Sequence, residues 1–252
     1  MEKKVLMEEL TWYEYAERIS RDVIILPVGS IEQHGAHLPL GTDTIQIMSF
    51  ARLAAKRIGG IVAPALTYGY KSQPKSGGGP LFPGTTCIGA EALILVVRDI
   101  LKEFIKHGAK KIFVMNGHYE NAMFLSEAID LALGEMSVKD VKILKNCFIE
   151  FLNQKDLEKI FPNGFPGWDL EHAAHTETSL MLYFRPELVK MDRLIKDFYI
   201  KLPPYDIYPV PKDLIPASGV LADPSEASIE VAKYLINRCL DEFEKCIQKE
   251  FG

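Results

Sequence analysis

The chain has 252 residues, 48% of them hydrophobic and 25% charged, with a formal net charge of −5 and a sequence pI near 5.7. That balance belongs to water-soluble globular proteins; it carries no basic footprint for nucleic acid or an anionic membrane, which leaves small-molecule chemistry as the first expectation. No apolar run reaches the roughly 18 residues of a membrane helix, and the acidic start Met1-Glu-Lys-Lys-Val-Leu-Met-Glu-Glu-Leu10 has no signal-peptide core, so a cytoplasmic protein is expected.

In chain order, Thr11 is placed to cap a helix running to about Ile19. Val23-Ile-Ile-Leu-Pro-Val28 is a short apolar run ending at a glycine, the pattern of a parallel strand buried on both faces, here over 22–28. A helix is expected over 43–58, a strand over 61–66, a helix over 89–107, a strand over 111–115, a helix over 121–134 and a strand over 141–148. A short helix near 154–160, a helix around 173–184, an irregular Pro-rich stretch from 196 to 224 and a final helix from about 225 to 248 complete the chain. Strands that alternate with helices imply an α/β fold with a mainly parallel sheet and helices on both faces. With no Gly/Ser linker, charge block or internal repeat, residues 1–252 read as one domain. The cysteines Cys87, Cys147, Cys239 and Cys246 show no CxxC spacing and are read as packing residues of a reducing compartment.

The chemistry is concentrated after two of the strands. Glu32-Gln-His34 and His118-Tyr-Glu120 pair a carboxylate with an imidazole in mirror order, each directly following a predicted buried strand. Open α/β sheets bind ligands beyond the carboxyl ends of their strands. Residues two apart in extended chain project to the same side, so the two pairs read as half-sites of one metal centre. Asp43, at the expected start of a helix, adds a carboxylate whose two oxygens can bridge two cations. If each ion takes one Glu, one His and the shared Asp, three carboxylates set −3 against +4 and one hydroxide balances the remainder, a hydrolytic site.

Amide hydrolysis also needs a proton for the departing nitrogen. Glu171-His172 is the candidate pair, with Glu177 further along the same segment; if 171 is already helical, the two side chains diverge by about 100 degrees. The loop Tyr68-Gly-Tyr-Lys-Ser-Gln-Pro-Lys-Ser-Gly-Gly-Gly-Pro-Leu-Phe-Pro-Gly84 is long and glycine-rich, as binding loops and lids are, and Ser76 is its member expected to face a ligand.

These motifs resemble the creatininase family, whose signature is a Glu-x-His-Gly loop ending in Asp, an Asn-Gly-His loop and a later Glu-Thr-Ser helix. Here they read Glu32-Gln-His-Gly-Ala-His-Leu-Pro-Leu-Gly-Thr-Asp43, Asn116-Gly-His-Tyr-Glu-Asn121 and Glu177-Thr-Ser-Leu-Met181. The similarity continues through Glu9-Leu-Thr-Trp12, Tyr68-Gly-Tyr-Lys-Ser-Gln73, Lys75-Ser-Gly-Gly-Gly79, Phe82-Pro-Gly-Thr-Thr86, Gly167-Trp-Asp169, Glu171-His172 and Pro203-Pro-Tyr-Asp206, nearly the whole chain. The resemblance implies a three-layer α/β/α sandwich, a homohexamer, and a pair of zinc or manganese ions that opens the cyclic amide of creatinine to give creatine. It implies Glu32, Asp43 and His118 on one metal and His34, Asp43 and Glu120 on the other. Tyr119 and Trp168 would line the substrate pocket, with Ser76 approaching, Glu171 and His172 carrying protons, and Asp169 and Glu177 in support. Counting back from Trp168 without a gap puts Phe148 where the family's creatinine-acting members have a second pocket tryptophan. Leu40-Gly-Thr-Asp43 follows the wider family instead, so another small amide such as a formamide is the alternative substrate. A protein that kept the fold and only binds is the competing class; the retained ligands and the Glu171-His172 pair speak against it.

Overall fold

Four parallel strands lie side by side in the order β2-β1-β3-β4, with β1 at Ile24–Val28, β2 at Ile61–Val62, β3 at Lys111–Asn116 and β4 at Lys142–Cys147. The structure, a computed structural model, describes residues 3–198 and 202–252. The helices are α1 (Trp12–Arg18), α2 (Thr42–Ile58), the single turn α3 (Pro74–Gly77), α4 (Ala90–Lys106), α5 (Ala122–Met136), α6 (Gln154–Ile160), α7 (His175–Phe184) and α8 (Ile229–Phe251). Alternate side chains of the central strands feed two cores. Ile24, Leu26 and Val28 pack with Leu93, Val97 and Leu101 of α4 and with Leu125, Ala128 and Ala132 of α5. Ile25, Phe113 and Met115 face the other way, onto Ile47, Phe50 and Ala54 of α2, Leu180 of α7 and Leu235, Cys239 and Phe243 of α8. This is the expected α/β arrangement, helices over both faces of a parallel sheet, and it explains why β1 carries no polar residue. Each large side chain buried this way contributes about 1.5–3 kcal/mol.

Three boundaries differ from the sequence reading for local reasons. The strand expected over 61–66 pairs regularly only at Ile61–Val62, because Pro64 has no N–H to give a ladder; the chain returns to the sheet as a single bridge from Leu66 to Val28. The helix expected from 173 begins at His175, since Ala173 takes a positive φ of 54° that no right-handed helix contains. The last helix starts after Ser228, whose side chain accepts a hydrogen bond from Val231 N, and runs to Phe251. The irregular stretch expected over 196–224 contains no helix or strand among its described residues; 199–201 of it lie outside them. No helix among the described residues is long and apolar enough to cross a membrane.

Asp156 fastens α6 to α8. It accepts hydrogen bonds from Asn153 N at 3.0 Å, Tyr234 Oη at 2.7 Å, Arg238 Nε at 3.0 Å and Arg238 Nη2 at 3.2 Å. Partial burial opposes its ionisation, and the Arg238 guanidinium more than offsets this, holding the carboxyl down to about 2. Asp156→Ala is expected to lower the unfolding free energy by about 2–3 kcal/mol in urea denaturation at pH 7. The folded-state pKa lies below the unfolded one, so this contribution is present at neutral pH and fades on acidification through about 4 towards 2. The gap between variant and parent should close over that range.

Candidate metal centre

β1 and β3 are neighbours in register, Val28 opposite Asn116, so the loops leaving them run side by side at the carboxyl edge of the sheet. Two glycines let both loops press onto the first turns of α2. A Cβ at Gly29 would fall 2.5 Å from Thr44 Oγ1, and one at Gly117 would fall 2.6 Å from Ile47 Cβ. Asp43, the second residue of α2, is thereby delivered between the loops.

The arrangement is centred on that carboxylate. Asp43 Oδ1 lies 3.1 Å from His34 Nε2, and Asp43 Oδ2 lies 3.1 Å from His118 Nδ1. Glu32 Oε1 stands 3.1 Å from His118 Nδ1, and Glu177 Oε2 stands 3.5 Å from His34 Nε2. Three overlapping groups result among the described residues, Glu32-Asp43-His118, His34-Asp43-Glu177 and Glu32-His34-His172, each with its ligand atoms within 4.8 Å of one another. The approaches are close in distance but off the line of a hydrogen bond: Glu32 Oε2, His34 Nε2 and Asp43 Oδ2 are buried with no hydrogen-bond partner. Buried polar atoms are rarely left so; those of His34 and Asp43, side chains 3.1 Å apart, call for a cation. Each histidine is oriented from behind. His118 Nε2 lies 3.0 Å from Tyr70 O and His34 Nδ1 lies 3.1 Å from Glu32 O, so a proton on those nitrogens leaves the lone pairs of His118 Nδ1 and His34 Nε2 facing the centre. Asn121 holds Tyr70 in turn, accepting from Tyr70 N at 2.8 Å and donating to Gly29 O at 3.1 Å.

Without ions, the charges settle on protons. Burial alone would lower His34 and His118, yet the surrounding carboxylates raise both well above the ordinary histidine range. Burial pushes Glu32 up to about 7 against the pull of His118. Asp43, despite burial, is held below the usual carboxylate range by the two imidazoles. A centre that gathers imidazolium in place of metal releases those protons when a cation enters.

The expected His34-Asp43-Glu120 grouping does not form. The same-side argument for residues 118 and 120 holds only in extended chain, and a 3-10 turn over Tyr119–Asn121 breaks it. Glu120 lies on the outer side of the His118 ring, its Oε2 3.4 Å from Nε2, while its Oε1 accepts from Gln73 N at 2.9 Å and from Ser76 Oγ. Ser76 therefore meets Glu120 at the cavity rim. Glu177, expected in support, takes the place beside His34. Its signal was the single carboxylate of α7, in the helix's first turn within the Glu-Thr-Ser segment.

A cavity of about 420 Å³ opens onto the centre, lined among others by Glu32, Asp43, His118, Glu171, His172 and Glu177. Tyr119 and Trp168 also line it, Tyr119 being 60% exposed at its mouth and Trp168 braced edge-on by Phe165 at 4.6 Å. Phe148 lines it too, but its ring is stacked 4.6 Å from Phe50 in the core, so Ile149 beside it shares that wall. Asp169 is not among the lining residues; a Cβ at Gly167 would fall 2.5 Å from its Oδ1, which places the carboxylate back over its own turn.

Glu171 and His172 precede α7 instead of starting it, so the helical divergence does not arise and both are buried at the cavity. Glu171 Oε2 accepts from Thr176 N at 2.8 Å and from Thr176 Oγ1, whereas Oε1 has no partner. Burial pushes this carboxyl up to about 7. His172 Nδ1 lies 3.7 Å from Glu32 Oε1, and burial with the nearby His34 charge takes the ring well below the ordinary histidine range.

Residues 8–247 match the family model described as creatinine amidohydrolase. The chain is 42% identical over 257 residues to the creatinine amidohydrolase of Pseudomonas putida, covering 100% of this chain and 99% of that one. A mutant creatininase complexed with creatine superposes with a TM-score of 0.96 at 42% identity over 99% of both chains. A Zn-Zn form of a mutant creatininase gives 0.96 and a manganese form 0.95, each at 41% identity and 99% coverage of both chains.

Proposed function

The chain belongs to the creatininase family, and from that premise we propose that it hydrolyses the cyclic amide of creatinine to give creatine. The observation that carries the reading is Asp43 set between His34 and His118 among buried, unpartnered ligand atoms at the floor of a substrate-sized cavity. The residues fit two divalent ions: Glu32, Asp43 and His118 would hold one, and His34, Asp43 and Glu177 the other. Mixed imidazole and carboxylate donors suit zinc or manganese, both of which are named for similar creatininase structures. Such a pair supplies Lewis acidity towards the ring carbonyl and a water acidic enough to attack near neutral pH.

The protein's own groups handle binding and protons. Trp168 and the Phe148-Ile149 wall offer a slot for a flat, weakly cationic ring, where stacking and cation–π attraction are worth about 0.5–2 kcal/mol per aromatic ring. Glu171 keeps its proton up to about pH 7 and has an unengaged oxygen, so it is the group to protonate the ring nitrogen as the C–N bond breaks. Water's oxygen stays on the carbonyl carbon as the new carboxylate. Ser76 and Glu120 close the rim, and Asp169 braces the turn that presents Trp168. The whole chain acts as one catalytic domain in this reading. It is a homohexamer in the cytoplasm, supported by exposed apolar side chains such as Trp12, Met123, Tyr205 and Tyr208, and by four unpaired cysteines, with Cys239 buried.

The test is creatine formation from creatinine by zinc- or manganese-loaded protein, run beside formamides and cyclic ureides. Creatinine should be the best substrate by at least about tenfold in kcat/KM. Equal or better turnover of a formamide would leave only the family-level amide hydrolase.

A further inference from the structure

Gln33 lies between Glu32 and His34, but its carboxamide is spoken for elsewhere. Oε1 accepts from Gly35 N at 2.8 Å, while Nε2 lies 3.1 Å from Gly77 O, 2.9 Å from Gly219 O and 2.8 Å from His172 Nε2. The side chain is buried in a cradle that needs glycine. A Cβ at Gly219 would fall 2.1 Å from Gln33 Oε1, and one at Gly78 would fall 2.9 Å from Gln33 Nε2; both glycines sit at a φ of 77°. Turning the amide over would set its nitrogen against the Gly35 N–H and its oxygen against two carbonyls, so its orientation is fixed.

That orientation dictates what His172 can be. The amide nitrogen has two hydrogens and three neighbours, two of which are carbonyls that can only accept. The third neighbour, His172 Nε2, must offer a lone pair as well, because a ring N–H there would meet the amide N–H head-on. We infer that Gln33 is a positioning residue that fixes His172 with its lone pair on Nε2 and its proton on Nδ1, the nitrogen that faces Glu32 Oε1 across 3.7 Å. Resting on the amide-hydrolase reading, the consequence is that neutral His172 donates a hydrogen bond from Nδ1 to the oxygen of the reacting carbonyl. The proton for the leaving nitrogen then comes from Glu171. In sequence, Gln33 is only the unspecified position of Glu-x-His; the structure makes it the joint between the first metal loop, the glycine loop at Gly77 and the 215–221 segment.

The tautomer can be read directly. In 15N-histidine-labelled protein, metal-free and zinc-loaded, two-bond 1H–15N correlation separates a protonated ring nitrogen from a bare one, and His172→Gln identifies the His172 signals by their loss. Nδ1 should be protonated and Nε2 bare. Gln33→Glu puts an acceptor where the donor stood; it should move the proton to Nε2 and lower kcat about 100-fold, with KM changed less than about threefold. A parent spectrum with the proton on Nε2, or on both nitrogens, overturns the proposal, as does Gln33→Glu with tautomer and kcat unchanged. If Gln33→Glu does not fold, the parent spectrum decides alone. If the tautomer is as stated but the protein neither takes up zinc nor turns over creatinine, the functional reading falls and the positioning role stands.

Discussion

Asp43→Ala is expected to strip both ions and reduce turnover by roughly 10³–10⁴-fold or more, the largest loss of any single substitution in this protein. Its two oxygens face His34 and His118 separately, each across 3.1 Å, so one carboxylate serves both halves of the centre. Removing it also leaves the two imidazoles without their common counter-charge. Elemental analysis per chain, alongside circular dichroism to verify the fold, checks the result; a variant that retains two tightly bound ions and activity within tenfold of the parent would contradict the bridging role. Asp43→Asn separates charge from shape: it keeps the volume at the head of α2 and should still lose metal.

Glu171→Gln should cost about 10²–10⁴-fold in kcat, the usual worth of a positioned acid, while making the metal-free protein more stable at pH 8. The sign follows from the shift. Glu171 has a folded-state pKa of about 7 against an ordinary 4.5, so ionising it inside the protein is unfavourable. Its penalty is absent below about pH 4.5, grows as pH rises, and is complete above about 7. Glutamine never ionises, so chelator-treated variant and parent should melt alike near pH 4.5 and diverge by about 1–3 kcal/mol at pH 8. Equal stability at both pH values would show that Glu171 is already ionised, and the proton carrier would have to be sought elsewhere.

Much of this site is legible in the sequence because buried parallel strands announce themselves. Val23–Val28 and Lys111–Met115 are continuous apolar runs, and the polar residues immediately after them can only lie at the carboxyl edge of the sheet. Asp43 at a helix start followed from the apolar periodicity behind it. What did not follow was the exchange between Glu120 and Glu177. Spacing two residues apart speaks for one side only while the chain stays extended, and the turn at Tyr119 is set by Asn121 reaching across to Tyr70 and Gly29, a contact about 50 to 90 residues away in sequence. Gln33 was invisible for a similar reason: its partners at Gly77, His172 and Gly219 come from three distant segments. The early end of β2 was open to inspection, since Pro64 stands in the run.

The stacking of Phe148 on Phe50 has a bearing on how this enzyme can change. Phe50 is two turns along α2 from Asp43, so one helix carries both the carboxylate at the heart of the centre and the ring that backs the substrate wall. Widening or reshaping that wall for a bulkier ring displaces Phe148, and Phe148 moves only if Phe50 and the helix beneath it give way. Variants selected for a new substrate by changes at this wall should therefore arrive with altered affinity for their ions, and second-site repairs should map to the buried face of α2, not to the cavity. Substitutions at Tyr119, on the exposed mouth and outside that stack, offer a route to new specificity free of this linkage.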